Sequence, residues 1–385
     1  MRILLASNTC LDHGGISMFM LQWLRGIKEV DKESSVTVYF RHEVSSVDVE
    51  KAFKDLGAHI CNGTLPIGMS FKNYNANKKM LDEIDKILEN GRFDVVHINS
   101  RFFAFHVLLL KEAKRYGVPI RISHFHGSLE EPLGDKIVHS YFKHRIRSLA
   151  TTYASCSCVG ADYLFGKRGV KSSKWQMVPN TIQVSRFEFN EQKRVYYRDA
   201  LEISDEVILL GTVGRLEKEK NHVFLINLME ELRSYENHVK LIIIGDGNEK
   251  SDLQKKCSKS NIAEHVIFYG TTDDVPGLLS AMDYFLMPSI SEGFPISSVE
   301  AQANGLVCLL SNRITREVDL GCGVFYIPID NGPKPWIDVI RDNPPIKLNS
   351  RKKGAETVRN AGFDEKDTGK YVKRLYKTIT WNTKS

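Results

Sequence analysis

Short apolar runs alternate with stretches of helical periodicity along nearly the whole chain. The runs at Ile3–Ser7, Val36–Phe40, Val95–Ile98 and Ile120–Phe125 are too short for helices and rich in β-branched or aromatic residues. They predict buried strands. A shorter run, Gln176–Val178, ends in Pro179–Asn180. Between them, Ile16–Ile27, Asn77–Leu88 and Ala104–Tyr116 repeat apolar residues at helical spacing, the last stopped by Gly117 and Pro119. A second series opens at Val207–Thr212 and continues through Val239–Ile244, Val266–Tyr269, Tyr284–Pro288, Val307–Ser311 and Val324–Ile327. Residues 183–204, between the two series, are polar and charged and contain no apolar run fit for a buried strand. This alternation is the pattern of parallel sheets wrapped by helices, so the fold class is α/β. The restart predicts two Rossmann-like domains, 1–182 and 183–362, with the boundary near 180–205. At the end, Tyr371, Val372, Leu375, Tyr376 and Ile379 fall at helical spacing. Residues 363–385 therefore predict a docking helix.

Length agrees, since 385 residues exceed one core of ordinary size. Composition adds a charge asymmetry to the picture. The net charge is +6, and residues 101–190 alone carry 14 basic against 6 acidic side chains. Such a field suits an anionic partner. The seven cysteines are scattered with no CxxC pair, which predicts reduced, mostly buried thiols and a cytoplasmic setting. The first apolar run stops after a few residues, so it predicts a strand rather than a signal peptide. No run approaches 18 apolar residues, which leaves only peripheral contact with a membrane.

Candidate chemistry concentrates in Ser289–Gly305, SISEGFPISSVEAQANG. The segment follows the strand Tyr284–Pro288 and leads into a helix near Pro295, a residue suited to a first helical turn. Free amides near Gly293–Ser298 could hold a diphosphate. Glu292 before the helix and Glu300 within it could accept hydrogen bonds from sugar hydroxyls. Taken alone, the same residues also fit a solvated loop and helix. Arg215 and Lys220 follow the strand Val207–Thr212 and could neutralise a phosphate group. They equally fit an ordinary charged turn, because Glu217, Lys218 and Glu219 share the loop. Gly14 and Gly15 precede a helix after the first strand, where amides can approach a phosphate or simply turn. His124 and His126 alternate at the end of Ile120–Phe125, and no further ligands at metal spacing accompany them.

These segments together resemble the retaining family-4 glycosyltransferases of GT-B fold. Glu292 and Glu300 match that family's E-x7-E pattern, TVGRLEKEKNH at Thr212–His222 its G-R-x(4)-K-N segment, and IIIGDG at Ile242–Gly247 its G-x-G turn. YGTTDDVPGLLSAM at Tyr269–Met282 and EAQANGLVCLL at Glu300–Leu310 are similar to bacterial capsule and exopolysaccharide enzymes. The resemblance implies two Rossmann-like domains facing across a cleft, with the C-terminal helix returning to the first domain. It implies an acceptor side in the first domain and a donor side in the second. The donor would be a nucleotide sugar, UDP-linked, and the acceptor a glycan or polyprenyl-linked saccharide. By the same resemblance, Arg215 and Lys220 would meet the phosphates, Glu300 the ribose and Glu292 the sugar hydroxyls. Gly293, Phe294, Pro295 and Ile296 would supply cradle amides, and Gly14, Gly15, Gly245 and Gly247 would adjoin the donor. His126 would act at the donor sugar with Glu292 as the catalytic pair, while His124 and His97 would be structural neighbours. Asn180 matches a hinge-side P-N turn, and Gln183 departs from the usual acidic residue. Asp273 and Asp274 would lie on a loop near the base.

There is no Asp-x-Asp in the sequence, so metal-independent transfer is expected, with no cofactor. A sugar-nucleotide epimerase and a non-catalytic nucleotide-sugar-binding module share the fold. The E-x7-E segment argues against the first, and intact Arg215, Lys220, Glu292 and Glu300 against the second. Tyr141 and Phe142 form no recognisable stacking platform, so no nucleic-acid partner is expected. In KIVHSYFKHRIR, residues 136–147, positions 138, 141, 142 and 145–146 would make an apolar stripe flanked by Lys143, Arg145 and Arg147. That pattern suits peripheral docking on an anionic membrane at its inner face, or a core-packed helix with a basic face.

Overall fold

The computed structural model describes residues 1–12, 14–66, 73–127, 136–233 and 238–376, without the side chains of 136–138. In chain order the elements are β1 Arg2–Ser7, α1 Gly15–Val30, β2 Ser35–His42, α2 Val47–Asp55, β3 Ala58–Leu65, α3 Tyr74–Gly91 and β4 Val95–Ser100. There follow α4 Phe103–Arg115, β5 Ile120–Phe125, α5 Lys136–Leu149, β6 Thr152–Ser155, α6 Cys158–Val170 and β7 Trp175–Met177. The second series runs α7 Val184–Phe187, α8 Glu191–Ala200, β8 Ile208–Val213, α9 His222–Leu232, β9 Val239–Ile244, α10 Lys250–Lys259 and β10 Val266–Gly270. It closes with α11 Val275–Ala281, β11 Tyr284–Met287, α12 Ile296–Ala303, β12 Val307–Ser311, β13 Val324–Ile327, α13 Lys334–Asp342, α14 Leu348–Arg351, α15 Lys353–Asn360 and α16 Thr368–Leu375. The chain divides into two compact units, Met1–Thr181 with Glu365 onward, and Ile182–Asp364.

The first unit holds a seven-stranded sheet in the order β3-β2-β1-β4-β5-β6-β7, with every pairing parallel. Its inner strands are apolar on both faces, as a sheet covered on both sides requires. Ile3, Leu5, Val36, Val38 and Trp23 pack in one cluster, and Leu4, Val96, Ile98, Leu109 and Leu110 in another. β3 and β6 escape the sequence reading. β3 carries Asn62, Gly63 and Thr64 near an edge, and β6 has four residues, so neither shows a long apolar run.

α16 joins this unit by packing on α1. The methyl of Thr368 lies where a Cβ on Gly26 would sit, 2.7 Å away, so helix contact is close only because Gly26 has no side chain. Thr181 and Thr368 hydroxyls meet at 3.0 Å, and Trp23 Nε1 donates to Tyr376 Oη at 2.8 Å. Ile379, the last apolar position of the sequence pattern, lies outside the described residues.

The second unit repeats the strand order with six parallel strands, β10-β9-β8-β11-β12-β13. The polar segment 183–204 belongs to its framework. Arg194 and Arg198 of α8 are buried, and both reach Asp283 at the start of β11, at 2.8 and 3.2 Å. With Arg351, they donate to the carbonyls of residues 279–282 that end α11. Cations are favoured at a helix C-terminus, and these orphan carbonyls need donors. Burial, with Arg194 nearby, brings the Arg351 guanidinium down to about 9. A charged stretch thus acts as a clamp, which composition alone reads as a linker. All seven cysteines are free; Cys158 is exposed, Cys10 and Cys61 half-buried, and the rest buried.

Candidate active site

In an open parallel sheet, ligands bind beyond the carboxyl ends of the strands, where the strand order reverses. In the second unit that point lies between β8 and β11, which are adjacent although β9 and β10 intervene in sequence. The loop after β8 carries Arg215 and Lys220, and the loop after β11 carries Glu292 and Gly293. Backbone bonds join the loops: Ile290 N donates to Glu219 O at 2.8 Å, and Asn221 Nδ2 to Pro288 O at 3.2 Å. Asn221 takes a left-handed conformation at φ 56°, which turns the chain into α9.

Lys220 Nζ and Glu292 Oε1 consequently meet at 2.6 Å, both largely shielded from solvent. Arg215 is exposed, and its side chain has no hydrogen-bond or ion-pair partner among the described residues. α12 starts after Pro295 without a side-chain cap; Ser298 N donates back to Pro295 O at 3.1 Å, and no side chain covers the start of the helix. Glu300 is half-buried within α12, and its carboxyl has no hydrogen-bond partner among the described residues. Burial pushes its carboxyl up to about 7, against the attraction of Arg186. Ser289 Oγ and Ser291 Oγ beside Glu292 are enclosed and also lack partners among the described residues. Phe294 stacks on Phe363, ring centroids 5.7 Å apart, which anchors the cradle segment.

Gly245 and Gly247 have a packing reason of their own. A Cβ on Gly245 would come within 2.0 Å of Gly214 O, and one on Gly247 within 2.5 Å of Leu216 O. The turn after β9 lies flat on the turn after β8, and this holds the Arg215–Lys220 loop in place. Asp274 caps α11 through Gly277 N and bonds Lys193 and Tyr197, while the Asp273 carbonyl accepts from Arg186.

The first unit offers different groups at the corresponding edge. Gly14 precedes α1, and its N–H donates to Asp12 Oδ1 at 2.9 Å. Asp12 also accepts from Ser17 Oγ at 3.0 Å, so an anion approaching Gly14 meets a carboxylate already there. Gly15 has open space around its Cα. Four imidazoles gather here: His97 of β4, His106 of α4, His124 of β5 and His126 just after it. His97 Nε2 and His124 Nδ1 are 3.1 Å apart, and His97 Nδ1 lies 3.0 Å from Tyr376 Oη. His124 stacks on His126 with centroids 4.1 Å apart, and Phe19 of α1 packs on both. Burial, then His106, lowers His126 to about 3, while burial lowers His106 to about 4. His97 and His124 are also held well below the usual imidazole range by burial. The cluster is therefore neutral near pH 7. Only His126 is part-exposed among the four, which suits His97 and His124 to the supporting places expected of them. Asn99, bonded to His126 at 3.0 Å, was not singled out from the sequence. Its signal was a polar residue beside His97 in the fully buried strand VVHINS.

The stripe expected along α5 is spent inside the protein. Ile146 is fully buried and Phe142 packs against Phe103, leaving Tyr141 exposed. Lys136, Ile137 and Val138 lie outside the described side chains. Arg147 Nη1 donates to Phe165 O at 2.7 Å, and Lys143 lies over the Tyr163 ring. No helix among the described residues is long and apolar enough to cross a membrane.

Two Rossmann-like units of this strand order make the GT-B fold. Residues 13–186 match the model of Glycosyltransferase Family 4, and residues 195–318 that of Glycosyl transferases group 1. The chain belongs to this glycosyltransferase family and is an enzyme of that class. It is 29% identical over 298 residues to the putative glycosyltransferase EpsF of Bacillus subtilis, covering 76% of this chain and 77% of EpsF. It is 27% identical over 248 residues to an Escherichia coli UDP-Gal:α-D-GlcNAc-diphosphoundecaprenol α-1,3-galactosyltransferase, covering 61% and 62% of the two chains. In fold it is similar to Anabaena HepE, solved with UDP, at a TM-score of 0.77 and 14% identity, covering 98% of this chain and all of HepE.

Proposed function

We propose that this glycosyltransferase moves a sugar from a UDP-sugar, with retention of configuration, to a glycan or polyprenyl-linked saccharide in surface-polysaccharide synthesis. The observation that carries the reading is the Lys220–Glu292 pair at the β8/β11 switch point, beside the uncapped start of α12. Lys220 and Arg215 meet the diphosphate, aided by amides of Gly293, Phe294 and Ile296. Glu300 accepts hydrogen bonds from the ribose, and Glu292 from the sugar. UDP bound to HepE and the diphosphoundecaprenol substrate named for the E. coli relative support the donor and acceptor classes.

The bond from the anomeric carbon to the leaving phosphate oxygen breaks, its electron pair going to the nucleoside diphosphate. The acceptor hydroxyl bonds to that carbon from the same face, and its proton passes to the departing phosphate. Lys220 holds Glu292 in an ion pair, so a route through an oxocarbenium-like state is preferred to attack by a carboxylate nucleophile. The cations already present serve the leaving charge, and the reading takes transfer to be metal-independent. The groove between α5 and α6, with Lys143, Lys167 and Lys171 beside Val159, Tyr163 and Val170, gives anionic lipid head groups an electrostatic foothold.

A donor panel scored for nucleotide release, with and without a lipid-linked saccharide, tests this function. UDP release should depend on the acceptor and survive EDTA, and NMR should show the donor's anomeric configuration in the product. The protein should also sediment with anionic but not neutral vesicles, and salt should release it. Inversion, a chelator loss restored by Mg²⁺, or release without acceptor would each overturn the corresponding part.

A further inference from the structure

Asn99 is the penultimate residue of β4, and its side chain is fully buried. Its Nδ2 donates to the backbone carbonyl of His97 at 3.3 Å, and its Oδ1 lies 3.0 Å from His126 Nε2. The opposite amide orientation would set Oδ1 against the His97 carbonyl, two acceptors facing each other. The amide is therefore fixed, and an amide oxygen only accepts. His126 Nε2 must carry the proton. In a neutral imidazole the other nitrogen, Nδ1, is then a lone-pair acceptor. Nδ1 has no hydrogen-bond partner among the described residues, and the ring is part-exposed.

We propose that Asn99 is a positioning residue that locks His126 as the Nε2–H tautomer, so that Nδ1 is left as an acceptor for a substrate hydroxyl. The inference rests on the proposed sugar transfer and adds which nitrogen of His126 acts, in which protonation state, and what sets it. The ring's surroundings keep it neutral. Phe19 of α1 covers it, His124 of β5 stacks on it, and His97 of β4 and His106 of α4 are the other titratable groups acting in the cluster. Burial is the larger cause that keeps His126 uncharged, and His106 is the second. The ring therefore offers an acceptor and not an acid across the neutral range. A second support holds it from the other side, because the His124 ring is itself fixed through His97 to Tyr376.

Asn99→Asp separates this role from a structural one. The carboxylate is nearly isosteric and still accepts from Nε2–H, but its charge favours the imidazolium and raises the His126 pKa. Protonation of Nδ1 removes the acceptor. Transfer by Asn99→Asp should approach the wild-type rate at high pH and fall about tenfold or more as pH drops through the raised pKa. The wild type should show no His126 titration between about pH 5 and 9. Asn99→Leu, which fixes neither tautomer, should lose transfer across the whole range.

A direct readout needs no substrate. Long-range ¹H–¹⁵N spectra of histidine-labelled, ligand-free protein, assigned by loss of the signal in His126→Gln, should show the Nε2–H pattern for His126. The Nδ1–H pattern in the wild type overturns the inference, whatever the variants do. So does an Asn99→Asp pH profile that matches the wild type. The expected tautomer in a protein that turns over no nucleotide sugar would instead defeat the proposed sugar transfer and leave the action of Asn99 on His126 intact.

Discussion

The two sheets have the same strand order over their first six positions, yet they place opposite chemistry at their carboxyl ends. In the second unit the groups are charged: exposed Arg215, the Lys220–Glu292 pair and unpartnered Glu300. In the first unit they are neutral imidazoles, largely buried and tied to one another and to α16. A charged edge binds and stabilises an anion, whereas a neutral, fixed edge orients hydroxyl groups. The shared fold supplies the place, and the side chains supply the division of labour.

The largest effect should come from removing the cation of the charged edge. Lys220→Ala takes away the proposed phosphate ligand and leaves Glu292 without its ion-pair partner. Transfer should fall by about 10²-fold or more, with circular dichroism and melting unchanged. Near-normal turnover in a folded variant would mean that this edge is not the phosphate site.

An intermediate effect, on stability, should mark the neutral edge. Tyr376→Phe removes the hydroxyl that accepts from Trp23 Nε1 and bonds His97. Breaking such buried bonds costs about 1–3 kcal/mol, which urea unfolding would resolve. An unchanged midpoint would show that α16 is held by its apolar contacts alone.

The smallest effect separates the edges by pH. The Glu300 carboxyl keeps its proton up to about 7 in the folded protein, while in the unfolded chain it releases it in the ordinary carboxylate range. Between these values the unfolded state binds fewer protons, so this group lowers stability as pH rises. Glu300→Gln removes that loss. Its melting temperature relative to wild type should rise by on the order of 2 °C from pH 5 to pH 8, while donor affinity falls. A difference independent of pH would show that burial does not strain this carboxylate.

How much of this was legible in the chain can be followed residue by residue. Val239–Ile244, Val307–Ser311 and Val324–Ile327 read as strands and are strands, because short, mainly apolar runs suit a largely covered sheet. The start of α12 after Pro295 was also readable, since proline and glycine constrain the backbone locally. β3 and β6 were not readable, nor was the framework role of α8, whose arginines look solvated until Asp283 and the end of α11 meet them.

By itself the sequence determined what depends on neighbouring residues: alternating strands and helices, helix starts, and loops carrying Arg215, Lys220, Glu292 and Glu300. Only the tertiary structure decided which loops meet. Lys220 reaches Glu292 across 72 residues because β8 and β11 are neighbours, and no local periodicity encodes that order. Tyr376 reaches His97 across 279 residues because α16 packs on α1. Even the acid–base state of His126 is a tertiary property. It follows from burial and from one amide on the adjacent strand, whereas the imidazole alone would titrate near neutrality.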